Sequence, residues 1–289
     1  MTIILRIASI VASLFFIALL SFTGCMTFRD SDQKIEQYFE KRDQEISIRH
    51  VPNGRGQVRF VETANAKVDT LPLIVFVHGA PGSAKDFQKY LTDSTLLAHA
   101  RMITLDRLGY GYSNYGHSEP SIAKQAAAVK TVTDRFGAEE LILVGHSYGG
   151  PIVGKFAMDY PGQADVILLL APVIDPDSEK IFWYANFAKW GATRWMLSKA
   201  LRVSGDEKFA HPEEIRKIAD DWNKINIPVI HIHGMRDKQL APAKGNIAFS
   251  KAHIAPDLLQ LTVIKKTGHL IPWTDYDLVK EKLLELLKK

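Results

Sequence analysis

Residues 145–149 read Gly-His-Ser-Tyr-Gly, a G-x-S-x-G pentapeptide. Its chemistry is nucleophilic. A serine on a sharp strand-to-helix turn is held in a strained backbone conformation with its hydroxyl lifted clear of the sheet. The turn also leaves amides without helical partners, so the N–H of Tyr148 is free to bind a developing oxyanion. Glycines are needed at 145 and 149 because side chains there would meet the neighbouring strand and helix. Ser147 is therefore the candidate nucleophile.

The flanking sequence supplies the elements such a turn requires. Leu141 to Val144 is a short apolar run that suits a buried parallel strand. Pro151 to Tyr160 carries Ile152, Val153, Phe156, Ala157 and Tyr160 at helical spacing. Further apolar runs read as strands at Leu71–Val77, Met102–Leu105, Val166–Leu170, Pro228–His233 and Leu258–Ile264. Ile46–Val51 and Gln57–Thr63 alternate around a Pro-Asn-Gly-Arg-Gly turn and predict an edge hairpin. Ser121 to Phe136 predicts a helix with a serine N-cap and Gly137 as its stop. Tyr276 to Lys289 predicts a closing amphipathic helix.

Each strand end carries a distinctive loop. His78-Gly79-Ala80-Pro81-Gly82-Ser83 follows the first buried strand, and Asp106-Arg107-Leu108-Gly109-Tyr110-Gly111-Tyr112-Ser113 the second. Gly234-Met235-Arg236-Asp237 and Thr267-Gly268-His269 follow the last two. With the Ser147 pentapeptide, these loops resemble the α/β-hydrolase family from about Ile46 to the C-terminus. The resemblance implies an α/β fold with a mostly parallel central sheet flanked by helices and a helical cap inserted after the sixth strand.

It also implies roles. The loop after the first buried strand would supply a second oxyanion donor, the amide of Ala80, with Gly79 letting the backbone approach substrate. Asp237 would be the catalytic acid and His269 the general base, since the family order is serine, acid, histidine. Asp175 is the alternative acid. Asp106 precedes Ser147, so it is expected to pin its loop, pairing with Arg107. His78 is expected to be a structural hydrogen-bonder. His231 and His233 form an H-x-H, but no further ligand set accompanies them, so neither a metal site nor a cofactor is expected.

Residues 173–226 interrupt the strand–helix alternation and are read as the cap, leaving 46–172 and 227–289 as the core. Their aromatic stretch, Ile181 to Trp190 with Trp195, is expected mainly to pack the cap onto the core and to line an apolar pocket. Contact with a membrane surface is the other reading.

The chain has 36 basic and 32 acidic residues, a net +4, and no basic patch interleaved with aromatics, which argues against nucleic acid as a partner. The single cysteine, Cys25, excludes an intrachain disulfide. Ile7 to Leu20 is apolar and uncharged but rises only about 21 Å as a helix, short of the roughly 30 Å hydrocarbon core, so residues 1–24 read as a signal peptide. Ser21-Phe22-Thr23-Gly24-Cys25 resembles a bacterial lipobox, with Phe22 departing from the usual aliphatic residue. That resemblance implies lipidation of Cys25 and an extracytoplasmic, membrane-anchored protein. An uncleaved signal anchor and a soluble secreted form are the alternatives. Residues 25–45 are polar and read as a tether, with a helical turn around Ile35 to Phe39.

The implied activity is hydrolysis of a carboxylic ester with a small-molecule acyl substrate. A proline iminopeptidase-like amidase, suggested by the His78–Gly82 loop, is the runner-up, with Glu179, Asp206 and Glu207 as candidates to recognise a substrate amine. A non-catalytic binding protein on a hydrolase scaffold is the third reading.

Overall fold

The computed structural model describes residues 26–63, 70–181 and 183–288; the signal-peptide reading and Cys25 fall outside them. Eight strands form one sheet: β1 (Ile46–Asn53), β2 (Gly56–Thr63), β3 (Leu73–Val77), β4 (Arg101–Leu105), β5 (Leu141–His146), β6 (Val166–Leu170), β7 (Val229–Gly234) and β8 (Leu259–Ile264). Their spatial order is β1-β2-β4-β3-β5-β6-β7-β8. The β1–β2 hairpin and the β2–β4 pair are antiparallel, and every pair from β4 through β8 is parallel.

Parallel strands must be covered on both faces, and this explains the uninterrupted apolar runs. Every residue of β3, β5 and β6 is buried. One face packs on helices α2 (Ile122–Thr133) and α3 (Gly149–Asp159), through residues such as Val129, Ile152 and Phe156. The other packs on helix α6 (Tyr276–Leu286) and on Phe87 and Tyr90 of the segment after β3. Ser121 caps α2, its side chain accepting from the Lys124 amide at 3.4 Å. Helix α5 (Ala243–His253) joins β7 to β8.

The cap follows β6. Short helical turns at Trp183–Ala185, Asn186–Lys189 and Gly191–Arg194 lead into helix α4 (Lys199–Lys217). The aromatics divide in a way the sequence reading did not anticipate. Trp183, Trp190 and Trp195 are 74%, 54% and 68% exposed, so they do not pack the cap onto the core. Among the described aromatic side chains of the cap, Trp222, near its end, is buried in the core and lies against Gly154 of α3.

The polar segment read as a tether is also built into the body. Ser31 caps helix α1 (Asp32–Glu40), whose Ile35 and Phe39 are buried in the core on the α6 face. The physical reason is a two-residue apolar stripe on an otherwise charged helix, reinforced by Asp32, which accepts from Arg59 at 2.7 Å. Among the described residues, no helix is long and apolar enough to cross a membrane.

Candidate active site

The side chains of interest sit at the carboxyl ends of β3, β5, β7 and β8. The turn after β5 holds Ser147 at φ = 53°, a left-handed conformation that costs an L-residue roughly 1–2 kcal/mol. The surroundings enforce it. A Cβ on Gly145 would collide with the Gly149 carbonyl, and one on Gly149 with the Val77 carbonyl of the adjacent strand. Both glycines thus serve the close packing of strand, turn and helix. The Ser147 amide donates to Leu170 O at 3.0 Å, tying the turn to β6.

Asp237 and His269 meet although they are 32 residues apart: His269 Nδ1 lies 2.5 Å from Asp237 Oδ2. Asp237 Oδ1 accepts from the Ala241 amide at 3.1 Å, which fixes the carboxylate's orientation. Burial opposes its ionisation, but the imidazoles of His233 and His269 outweigh burial and hold its carboxyl well below the usual range. A carboxylate on Nδ1 leaves Nε2 of His269 as the free base. Ser147 and His269 line the same cavity, about 870 Å³ in volume, roofed by Phe187, Met196 and Leu197 of the cap. The alternative acid, Asp175, is occupied elsewhere by Ser178 and the Asp177 amide.

Gly79 and Ala80 border the cavity beside Ser147. A Cβ on Gly79 would stand 3.0 Å from the Ser147 Cβ, so glycine is what lets this backbone approach the serine. Among the described residues, neither the Ala80 amide nor the Tyr148 amide has a hydrogen-bond partner. Two such donors beside a serine hydroxyl can stabilise an oxyanion.

His78 is structural, and its tautomer follows from its partners. The Arg107 amide donates to Nε2 at 3.0 Å, so Nδ1 carries the proton and donates to Gly79 O at 2.6 Å. Burial, with Arg107 nearby, keeps its pKa well below the ordinary histidine value. His231 and His233 are likewise consumed internally. Ser250 Oγ lies 2.8 Å from His231 Nδ1, His231 Nε2 lies 2.9 Å from His233 Nδ1, and His233 Nε2 donates to Ala241 O at 2.9 Å. Among the described residues, no group of histidine, cysteine and acidic side chains is arranged to hold a metal ion.

Asp106 pins its loop, but with a different partner from the one expected. It accepts from Arg59 at 3.0 Å and from the amides of Ala84 and Tyr112 at 2.7 and 2.9 Å. Arg107 turns the other way and pairs with Glu207 of the cap at 2.7 Å. The two side chains leave the loop toward different elements, Asp106 toward β2 and Arg107 toward the cap, so adjacency in sequence did not make them partners.

Two site residues escaped the sequence reading. His146 Nε2 donates to the backbone carbonyl of His269 at 3.1 Å, and its pKa is pushed down to about 3 by burial and by His269. Asp86 lines the cavity, half-buried, with its pKa pushed up to about 7 mainly by burial. The only local signal for Asp86 was its place three residues after Ser83, a helix-capping spacing.

Comparison with known proteins places this geometry. The profile of the alpha/beta hydrolase fold matches residues 72–205. A protein of Synechocystis named as a non-heme chloroperoxidase is 25% identical over 256 residues, 74% of this chain and 91% of its own. Epoxide hydrolase B of Mycobacterium tuberculosis is 31% identical over 129 residues, 43% of this chain but only 36% of that protein. Among solved structures, a bacterial membrane phospholipase A superimposes with a TM-score of 0.64 at 16% identity, covering 99% of this chain and 97% of that one, a likeness of fold. Sheet order, profile and structural likeness agree: the chain has the α/β-hydrolase fold.

Proposed function

We propose that the protein is a serine hydrolase that cleaves a carboxylic ester with an apolar acyl part. The observation that carries this reading is the 2.5 Å contact of His269 with Asp237 at a cavity that also holds Ser147. Ser147 Oγ attacks the acyl carbon and passes its proton to His269 Nε2. The amides of Ala80 and Tyr148 receive the oxyanion. The tetrahedral adduct collapses, the alcohol leaves with the proton from His269, and the acyl group remains on Ser147. Water, deprotonated by His269, then releases the acid. Serine at the elbow argues against epoxide hydrolysis, which relatives of this fold carry out with an aspartate there.

The cavity wall supports an apolar acyl part, since Phe187, Met196, Leu197 and Leu201 make much of it. The amidase reading is less well supported. Glu179 is engaged by Lys208 and His211, Asp206 by Arg194 at 2.7 Å, and Glu207 by Arg107. A substrate amine would have to displace an existing cation from any of them.

We further propose that the chain is held to a membrane on the extracytoplasmic side by a lipid on Cys25. The first described residues support such a placement. Phe28 lines the cavity, and Arg29 lies 3.7 Å from the ring centre of Tyr115 and donates to Gly111 O at 2.6 Å. An anchor just upstream would hold the cavity mouth close to the lipid surface. A fluorophosphonate probe tests the catalytic reading: it should label the full chain at Ser147 and leave Ser147→Ala unlabelled. Labelling of the alanine variant would overturn it.

A further inference from the structure

We infer that Arg107 is a positioning residue for the oxyanion hole and that the cap, through Glu207, holds it to that task. This rests on the serine-hydrolase reading above.

The Gly79–Ala80 peptide carries a candidate oxyanion donor, the Ala80 N–H. A peptide group is rigid and planar, so fixing its carbonyl fixes its N–H. The Gly79 carbonyl accepts from two donors on the core side, His78 Nδ1 at 2.6 Å and Arg107 Nη2 at 3.1 Å. In a trans peptide the N–H points opposite to the C=O, so this anchoring turns the Ala80 amide away from the core. Donation to the carbonyl also polarises the same peptide and strengthens its N–H as a donor.

Arg107 reaches the second oxyanion residue as well. Its guanidinium carbon stands 4.6 Å from the ring centre of Tyr148, within cation–π range. One side chain therefore touches both the Gly79–Ala80 peptide that carries one proposed donor and the ring of the residue that supplies the other.

What holds Arg107 comes from the cap. Glu207 on α4 accepts from Nη1 at 2.7 Å and from Nη2 at 3.0 Å, a bidentate pair. The same carboxylate accepts from Tyr110 OH at 2.6 Å. Arg107 and Glu207 are 1% and 0% exposed, so the pair exists only while the cap is seated. Nη2 is shared between Glu207 and Gly79 O, so the cap's grip and the peptide's orientation meet in one nitrogen. His211, one turn further along α4, lies 4.5 Å centre to centre from the Tyr148 ring, a second contact of the same helix with the hole.

A buried ion pair replaced whole by apolar side chains is often neutral for stability, whereas breaking one partner is not. This separates positioning from mere stapling. The test compares wild type, the double variant Arg107→Met/Glu207→Leu and the single variant Arg107→Lys. Melting temperature, kcat and KM on a p-nitrophenyl ester, and inhibition by an alkyl boronic acid, which forms a tetrahedral adduct on the serine, are measured on the full chain. The double variant, which also leaves the buried Tyr110 hydroxyl without its acceptor, is expected to melt a few degrees below wild type yet stay folded and lose about tenfold or more in kcat, with KM changed less than about twofold. Boronate affinity should fall by the same factor, a fraction of the 10²–10³ seen when an oxyanion donor is deleted outright. Arg107→Lys, whose ammonium cannot bridge Glu207 and Gly79 O in the same fork, should show the same split if the double variant does not fold. A folded variant of either kind with wild-type kcat and boronate affinity would overturn the inference. Wild type without ester turnover or boronate binding would overturn the hydrolase reading first, and this one with it.

Discussion

His146 Nε2 donates to the backbone carbonyl of His269 at 3.1 Å, so the residue just before the proposed nucleophile pins the residue proposed to be its base. The two rings stand 5.0 Å apart, and Trp273 closes edge-on over His146 at 5.3 Å. With its pKa near 3, His146 stays neutral at any working pH and keeps the proton that makes this bond. Replacing it with phenylalanine keeps the ring and removes the donor. His146→Phe should lower kcat about tenfold with little change in KM, because loosened geometry acts on the reacting atoms rather than on acyl binding. Steady-state kinetics check this; an unchanged kcat would remove His146 from the site.

Asp237 predicts both a rate and a pH effect. Asp237→Asn should lower kcat by about 10³–10⁴, since an amide no longer selects the Nδ1–H tautomer of His269. The folded-state pKa of Asp237 is depressed, so its contribution to stability is present above the unfolded value near 3.9 and is lost as pH falls through the folded value. The variant's stability should accordingly depend less on pH below about 4 than wild type's, measured by urea unfolding.

Asp86 has the opposite sign. Its folded pKa is raised to about 7, so between pH ~4 and ~7 the folded chain keeps a proton that the unfolded chain has lost. Stability should fall as pH rises through that window. Asp86→Asn should flatten this slope, and an unaltered slope would contradict the assignment.

The strain at Ser147 is testable apart from activity. At φ = 53° glycine avoids the Cβ penalty, so Ser147→Gly should be about 1 kcal/mol more stable than Ser147→Ala. Both should be inactive. Equal stability would mean that the turn is not strained.

The proposed anchor concerns Cys25. Cys25→Ser should move the protein from the membrane fraction to the soluble fraction. Unchanged partitioning would instead favour an uncleaved apolar anchor.

What the sequence made legible was local. The elbow glycines, the apolar parallel strands and the loops bearing Asp237 and His269 are each written in a few adjacent residues, because strand periodicity and tight turns are short-range physics. Partner choice was not local. Arg107 and Glu207 lie 100 positions apart, and Asp106 and Arg59 lie 47 apart, so the sequence could offer only the adjacent charge as a partner. The outward-facing tryptophans of the cap and the burial of Ile35 and Phe39 in α1 were hidden for the same reason. Composition marks a residue as apolar but does not say which surface covers it.

Hydrolysis of an apolar ester by Ser147 is directly measurable. The most direct measurement is kcat/KM of the full chain, in detergent, on p-nitrophenyl esters of increasing acyl length, with proline p-nitroanilide alongside. Ester turnover should rise to an optimum acyl length set by the cavity, with no turnover of the anilide. Turnover of the anilide alone, or of neither substrate, would contradict it.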